Sequence, residues 1–459
     1  MPISIIGTKV EKRPAIGFEL EQVTLNSVRH ILPNAAIEQA CRDAGHTYRR
    51  RTLTPIVTVL HMILAAIWPE ESFQASLQLL WDNFAGACPA LAGKAPASGS
   101  LSKARMRLPL GLWQRVTKYL AVKAETLSES FSAWRGHRVV LADGTCVSMS
   151  DTPSLHEHFG SSTGCGGKRI YPLGRMVTLA LANTMTVLTY ALGRYRDSEH
   201  ALLRPLLKRL QPGDLFVADR HFAGANLYAE YRSAGLHFLT RAHQRLKISR
   251  LHPLDGYPPD DFVADLPVNK TYRRKNPNLP ATVRVRLIHA TIRSRGRREG
   301  MWFVTSLLDE ATYPAREIVE LYARRWRIET LFLQLKRRLS TDVLRSKTPD
   351  GVGKELAACI AAVNIVRTIL LEAAVTHGQD PMRLSFVGAV RAILTFAPIL
   401  ASAPPWKLLD IYDAMLLQIA LSQVTDRPGR QEPRAVRKEV KHYPKLRITR
   451  KEWKQRWAA

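Results

Sequence analysis

The sequence predicts an α/β fold in which a mixed sheet core carries a β-rich insertion and is flanked by helical regions at both ends. Three observations lead there. Apolar residues recur every three or four positions up to about residue 135. The period then shortens into brief β-branched runs that alternate with helical stretches. Beyond residue 350 the helical spacing returns.

Within a helical region of residues 1–135, helices are expected at "TLTPIVTVLHMILAAIW" and "ESFQASLQLLWDNF". A central domain spans 136–345. Its strands are "HRVVLADG", "RMVTLALAN", "MTVLTYALGRY" and "DLFVADRHF", and its helices "SEHALLRPLLKRL" and "GANLYAEYRSAG". From about 243 to 300 the chain turns rich in Pro, Gly and Arg around one alternating strand, "TVRVRLIHATI", which reads as an insertion before "MWFVTSLLD" restores a core strand. Residues 346–459 form a helical region, with "ELAACIAAVNIVRTILLEAAV" its longest helix, and end in a basic tail. No repeat of 20 to 50 residues stands out.

Charge narrows the function. The chain holds 67 Lys and Arg against 39 Asp and Glu, a formal net charge of +28. A polyanionic partner follows, nucleic acid or an anionic membrane surface. No run of 18 or more apolar residues appears and the first residues lack the apolar region of a signal peptide, so the membrane is set aside. The five cysteines are odd in number, scattered and without a Cys-x-x-Cys, which suits a reducing cytoplasm and indicates neither a disulfide framework nor a zinc site.

The stretch "YARRWRIETLFLQLKRRL", Tyr322 to Leu339, keeps one acid, Glu329, among many basic residues. On a wheel of 100° per residue Tyr322, Arg325, Glu329 and Lys336 fall within about 60°. Ile328, Leu331, Phe332, Leu335 and Leu339 lie roughly 100° away and read as the buried side. Two further acids stand where strands run out, Asp143 after Val139 to Leu141 and Asp219 after Leu215 to Ala218. With Glu329 they form three candidate carboxylates for a divalent metal, since hard oxygen donors suit such ions. Two ions about 4 Å apart activate an attacking hydroxyl and stabilise the leaving oxygen of a phosphodiester displacement. Any one of these acids alone is equally a turn or cap residue.

These residues together resemble a known family. "DGT" at Asp143 to Thr145, "ADRHF" around Asp219 and Arg220, and the spacing Tyr322-x-x-Arg325-x-x-x-Glu329-x-x-x-x-x-x-Lys336 are similar to insertion-sequence transposases of the DDE type, specifically the branch with a Tyr-Arg-Glu-Lys signature. The resemblance covers roughly residues 136 to 345. It implies a ribonuclease-H-like core and an enzyme that cuts double-stranded DNA at element ends and joins it to target DNA, acting as a homodimer in the synaptic complex. It also implies Mg2+, with Mn2+ as a substitute, at Asp143, Asp219 and Glu329, with Tyr322, Arg325, Lys336 and Arg220 on phosphates and strands. Some members of that branch pass through a DNA hairpin, and a β-rich insertion accompanies it. Trp302 and Trp326 fall where the family places aromatic residues against distorted DNA. Otherwise Trp302 opens a core strand and Trp326 packs between helices.

In "SGSLSKARMRLP", Ser100 or Ser102 is expected to cap a helix that carries Lys103, Arg105 and Arg107, either to DNA or to solvent. His156 and His158 in "SLHEHFG" read as a loop, and "SSTGCGGKR" lacks the spacing of a nucleotide-phosphate loop. The rival functions are a nuclease with the same core and a catalytically inactive DNA-binding regulator.

Overall fold

The computed structural model describes residues 31–424, apart from 50–51, 69–71, 88–94, 164–168, 252–257, 295–296 and 339–342, together with residues 452 and 455. The first thirty residues, most of the Gly-rich run, Leu339 and nearly all of the basic tail therefore lie outside the described residues. Those described fall into two compact units. One holds the helices up to Ala124 and those from Gly353 to Gln423, and the other holds Glu125–Arg337 and the short segment before Gly353.

The first unit opens with α1 (Asn34–Asp43), α2 (Pro55–Ile67), α3 (Phe73–Ala87) and α4 (Ser98–Arg107). Thr54 starts α2, accepting the Val57 N–H at 3.2 Å, and Pro55 occupies the first turn, where a missing N–H costs nothing. Every residue of α2 is buried, as expected of a helix apolar on all sides. At α4 the expectation needs correcting. Ala97 is the extended N-cap and the helix begins at Ser98, so Ser100 and Ser102 lie inside it and cap nothing.

From α5 (Leu110–Ser132) the chain enters the sheet through β1 (Ala133–Trp134), β2 (His137–Met149), α6 (Pro153–Phe159), β3 (Ser161–Thr163), β4 (Arg169–Leu181) and β5 (Val187–Arg194). It continues through α7 (Glu199–Leu207), β6 (Leu215–Ala218), α8 (Ala225–Ser233) and β7 (His237–Arg241). Strand β4 pairs antiparallel with β2, β3 and β5, whereas β6 and β7 follow β2 in parallel. An antiparallel meander that becomes parallel through helical crossovers is the ribonuclease-H-like arrangement. Parallel strands covered on both faces read as unbroken apolar runs, and Leu215 to Ala218 are all 0% exposed. His156 and His158 sit on helix α6 and not in a loop, with His156 bonded to Asp151 at 2.7 Å.

The insertion comprises β8 (Asp261–Pro267), α9 (Lys270–Lys275), β9 (Thr282–Ser294) and β10 (Arg297–Thr305). Strand β10 pairs antiparallel with β7, β9 with β10, and β8 with β9, so the insertion lengthens the core sheet. Arg286, fully buried, fastens it by donating to Asp261 Oδ1 at 2.6 Å and to the Tyr313 carbonyl at 2.7 Å.

Next come α10 (Ala315–Ala323), a 3-10 turn at Arg324–Trp326, α11 (Arg327–Leu333) and a π-helical turn at Gln334–Arg338. The single helix expected from Tyr322 onward is thus interrupted twice. Tyr322, Arg325 and Glu329 nevertheless keep to one side, Arg325 lying 5.9 Å from the Tyr322 ring and 3.5 Å from Glu329, but Tyr322 and Arg325 are buried, so the face they share is not an exposed one. Ile328, Leu331, Phe332 and Leu335 are buried as expected. After β11 (Val343–Leu344), parallel to β2, follow α12 (Pro349–Thr376), α13 (Phe386–Ser402) and α14 (Leu408–Leu421). Helix α12 is long and apolar enough to cross a membrane, but 89% of its apolar window is buried inside the protein.

Candidate active site

Register brings the two aspartates together. Ala142 of β2 stands opposite Ala218 of β6, so Asp143 and Asp219 are the next residues on adjacent parallel strands, whose axes are about 4.8 Å apart. β2 runs on, and the Asp143 carboxylate accepts the Gly144 N–H at 2.8 Å. β6 stops, and Asp219 caps the 3-10 turn Arg220–Phe222 by accepting the Arg220 N–H at 2.6 Å.

Glu329 lies in the first turn of α11, which is tied to the end of β4 and the following turn. Arg327 donates to the Ala182 carbonyl at 3.1 Å, and Arg324 and Arg327 both reach Asn183 Oδ1 at 3.2 Å. Between the acids stands Arg325, only 5% exposed, its guanidinium 3.3 Å from Asp143 and 3.5 Å from Glu329. The same group lies 4.7 Å from the centre of the Trp326 ring. Arg325 thus links two carboxylates from different elements.

Burial pushes the Asp143 carboxyl up to about 6, helped by the neighbouring Asp219 and Glu199 and opposed by the Gly144 N–H and Arg325. Glu199, at the start of α7, lies so close to Gly144 that a Cβ there would meet its carboxylate carbon at 2.5 Å. A side chain at position 144 would therefore have to push the end of Glu199 aside. Arg175 on β4 holds Glu199 at 3.3 Å.

Asp143, Asp219 and Glu329 offer hard oxygens, the donor chemistry of a divalent cation site. Among the described residues no three His, Cys, Asp or Glu side chains are gathered closely enough to hold a metal as they stand. A cation does lie between two of the three acids, the Arg325 guanidinium.

Of the other sequence-predicted residues Tyr322 stays with the site, buried with its ring 5.9 Å from the Arg325 guanidinium and 4.8 Å from Phe303. Lys336 is half-buried on the π turn. Arg220 is half-buried beside Asp219. Trp302 packs against the sheet core with Phe262 at 5.8 Å and His289 at 5.0 Å, while Trp326 does not pack between helices but is 57% exposed. In the helical unit Lys103 and Arg107 are exposed, and Arg105 lies 3.9 Å over the Phe73 ring. Sequence reasoning missed Glu199 and Arg175. The available signal was "DSEH", a Ser cap followed directly by an acid where a strand gives way to a helix.

The family described as "Transposase DDE domain" matches residues 134–365, just over half of the chain. Transposase InsG for insertion sequence element IS4, of Escherichia coli (strain K12), is 26% identical over 316 residues, covering 68% of this chain and 70% of that protein. A cryo-EM structure titled piggyBac transposase synaptic complex with hairpin DNA aligns with 93% of this chain and 89% of its own, at 10% identity and a TM-score of 0.39. Matched across its sheet, its aspartate-bearing strands and the Glu329 helix, the chain belongs to the transposases with a DDE domain, enzymes that act on DNA.

Proposed function

We propose that the chain belongs to the Tyr-Arg-Glu-Lys branch of these enzymes and carries out cut-and-paste transposition, binding the terminal inverted repeats of its own element, cleaving them and joining them to target DNA. DDE transposase domains generally use divalent metal ions. Here Asp143, Asp219 and Glu329 would hold Mg2+, for which Mn2+ would substitute, once Arg325 releases the two acids it now bridges. When bound, the ions supply the Lewis acidity that activates the attacking hydroxyl and stabilises the leaving oxygen. The observation that carries this reading is the level placement of Asp143 and Asp219 on adjacent strands, with Arg325 joining Asp143 to Glu329.

Arg325 exchanges its carboxylates for the scissile phosphate, a geometry its planar fork suits. Lys336 and Arg220 add phosphate contacts and Tyr322 supports Arg325 from beneath. Exposed Trp326 stacks on DNA, and Trp302, at the root of the insertion, serves a hairpin route. Residues 1–135, with Lys103, Arg105 and Arg107, recognise element ends, and the region after residue 346 serves assembly of a homodimer. The protein works in the cytoplasm on nucleoid DNA.

The test is Glu329→Gln. It keeps the shape of the side chain and removes its charge, and Glu329 is 48% exposed, so α11 remains folded on Ile328 and Leu331. Mg2+-dependent nicking of a duplex carrying the element's terminal repeat falls by about 10³ or more, while metal-free gel-shift binding is unchanged. Nicking at the parental rate would show that Glu329 is not a metal ligand, whereas a parent that binds the duplex and does not nick it would make the DNA-binding regulator the better reading.

A further inference from the structure

Beside the aspartates two cavities open into each other. One, of about 640 Å³, is lined by Arg175, Glu199, His221, His243 and Arg245. The other, of about 810 Å³, runs under the insertion past Arg204, Asn226, Lys270, Tyr272 and Arg273. They share His200, Ala223 and Gly224. The near end touches the centre, because Glu199 lies against Gly144 and His221 is two residues beyond Asp219. The far end exists only because β8 and α9 extend the sheet.

The lining selects an anion. Arg175 is engaged by Glu199 and Arg204 by Glu230, whereas Arg245, Lys270 and Arg273 make no ion pair among the described residues. Arg245 and Lys270 are exposed, and half-buried Arg273 has no hydrogen-bond partner for its Nε among the described residues, so all three are free to meet an anion. At the junction Gly224 is the N-cap of α8, with φ of 144° and no side-chain cap bond. That backbone geometry demands glycine, and a Cβ there would meet nothing within 4 Å, so the positive end of a nine-residue helix opens onto the joined cavities.

We propose that the joined cavities are a channel for one unpaired DNA strand leaving the cleavage site, with a backbone phosphate at the N-terminus of α8 held by Lys270 and Arg273, an assignment that rests on the transposase reading above. Each cavity has the volume of a site for a drug-sized molecule, room for one or two nucleotides and too little for a duplex. The Tyr272 ring lines the far cavity, where a base can stack. The insertion thereby acquires a task on the reacting DNA.

The experiment uses the full chain without divalent metal and two probes, a blunt duplex and the same duplex with a single-stranded oligo(dT) tail, read by fluorescence anisotropy. The parent binds the tailed probe about tenfold more tightly than the blunt one. The double variant Lys270→Glu, Arg273→Glu loses that preference and keeps its blunt-duplex affinity within about twofold. A variant that loses affinity for both probes equally shows a general charge effect and overturns the channel. A second measurement needs no variant. Methylphosphonate placed at successive tail positions neutralises one phosphate at a time, and a parental preference unmoved at every position overturns the proposal. A parent that neither binds the duplex nor, in a parallel reaction with Mg2+, nicks it refutes the transposase reading itself, whereas one that does both without preferring the tail refutes the channel alone.

Discussion

Asp143→Asn should stabilise the metal-free protein at alkaline pH. Burial, with Asp219 and Glu199 nearby, raises the Asp143 carboxyl from 3.8 to about 6 in the folded chain. A carboxyl whose folded value is raised contributes stability below the unfolded value and loses it as pH climbs through the folded one. Here the loss develops between about pH 4 and pH 6. At pH 8 the ionised side chain therefore costs about 3 kcal/mol, two units and a little more at roughly 1.4 kcal/mol each. Asparagine cannot ionise and escapes this cost. The bonds that the ionised form accepts from the Gly144 N–H at 2.8 Å and from Arg325 at 3.3 Å are already discounted in that figure. A net gain of about 3 kcal/mol is expected at pH 8 in EDTA, vanishing by about pH 4. Urea unfolding followed by tryptophan fluorescence at both pH values measures it. Added Mg2+ should reverse the order, because a cation that binds only the folded state stabilises the parent more than a variant lacking one ligand. A variant less stable than the parent at pH 8 in EDTA, or a difference independent of pH, would refute the electrostatic account of the site.

Two other substitutions probe the supporting structure. Gly144→Ala drives a methyl into the Glu199 carboxylate, 2.5 Å from the new Cβ, and because that carboxylate ends a flexible side chain it should swing aside, leaving Mg2+-dependent nicking within about threefold of the parent; a loss of tenfold or more would show that Arg175 pins Glu199 in place. Arg286→Met removes the cation paired with Asp261 at 2.6 Å and leaves a buried acid unmatched, so chemical denaturation should show a loss of about 3–5 kcal/mol, and a loss below about 1 kcal/mol would mean that water reaches Asp261.

Much of the sheet was legible because its strands are short, buried and written in one pattern. "DLFVAD" is a continuous apolar run ending in an acid, and it became β6 with Asp219 one residue beyond. β8 was hidden. Its segment "DFVADLP" follows a Pro-rich stretch, and nothing local announces that Asp261 will pair with Arg286, 25 residues away, to close that part of the sheet. The interruptions after Ala323 escaped for a similar reason. The local sequence has good helical propensity, and what tightens the turn at Arg324–Trp326 is tertiary, the grip of Arg324 and Arg327 on Asn183.

The site was legible as a set of residue types and illegible as an arrangement, and Arg325 shows why. From its spacing the residue reads as a cation offered to an outside partner, yet it is 5% exposed, with an acid on either side of its guanidinium. Carboxylates brought together in a partly buried place repel one another, and the chain answers with the nearest positive charge it owns. The two functions of that charge are compatible. On the function proposed above, the cation that offsets repulsion between Asp143 and Glu329 would be the group set free to meet an incoming phosphate once a metal ion takes over the neutralisation. On that proposal, a sequence motif that spaces Arg325 one helical turn before Glu329 would encode an exchange, in which metal and arginine compete for the same oxygens and the arginine is left beside the DNA.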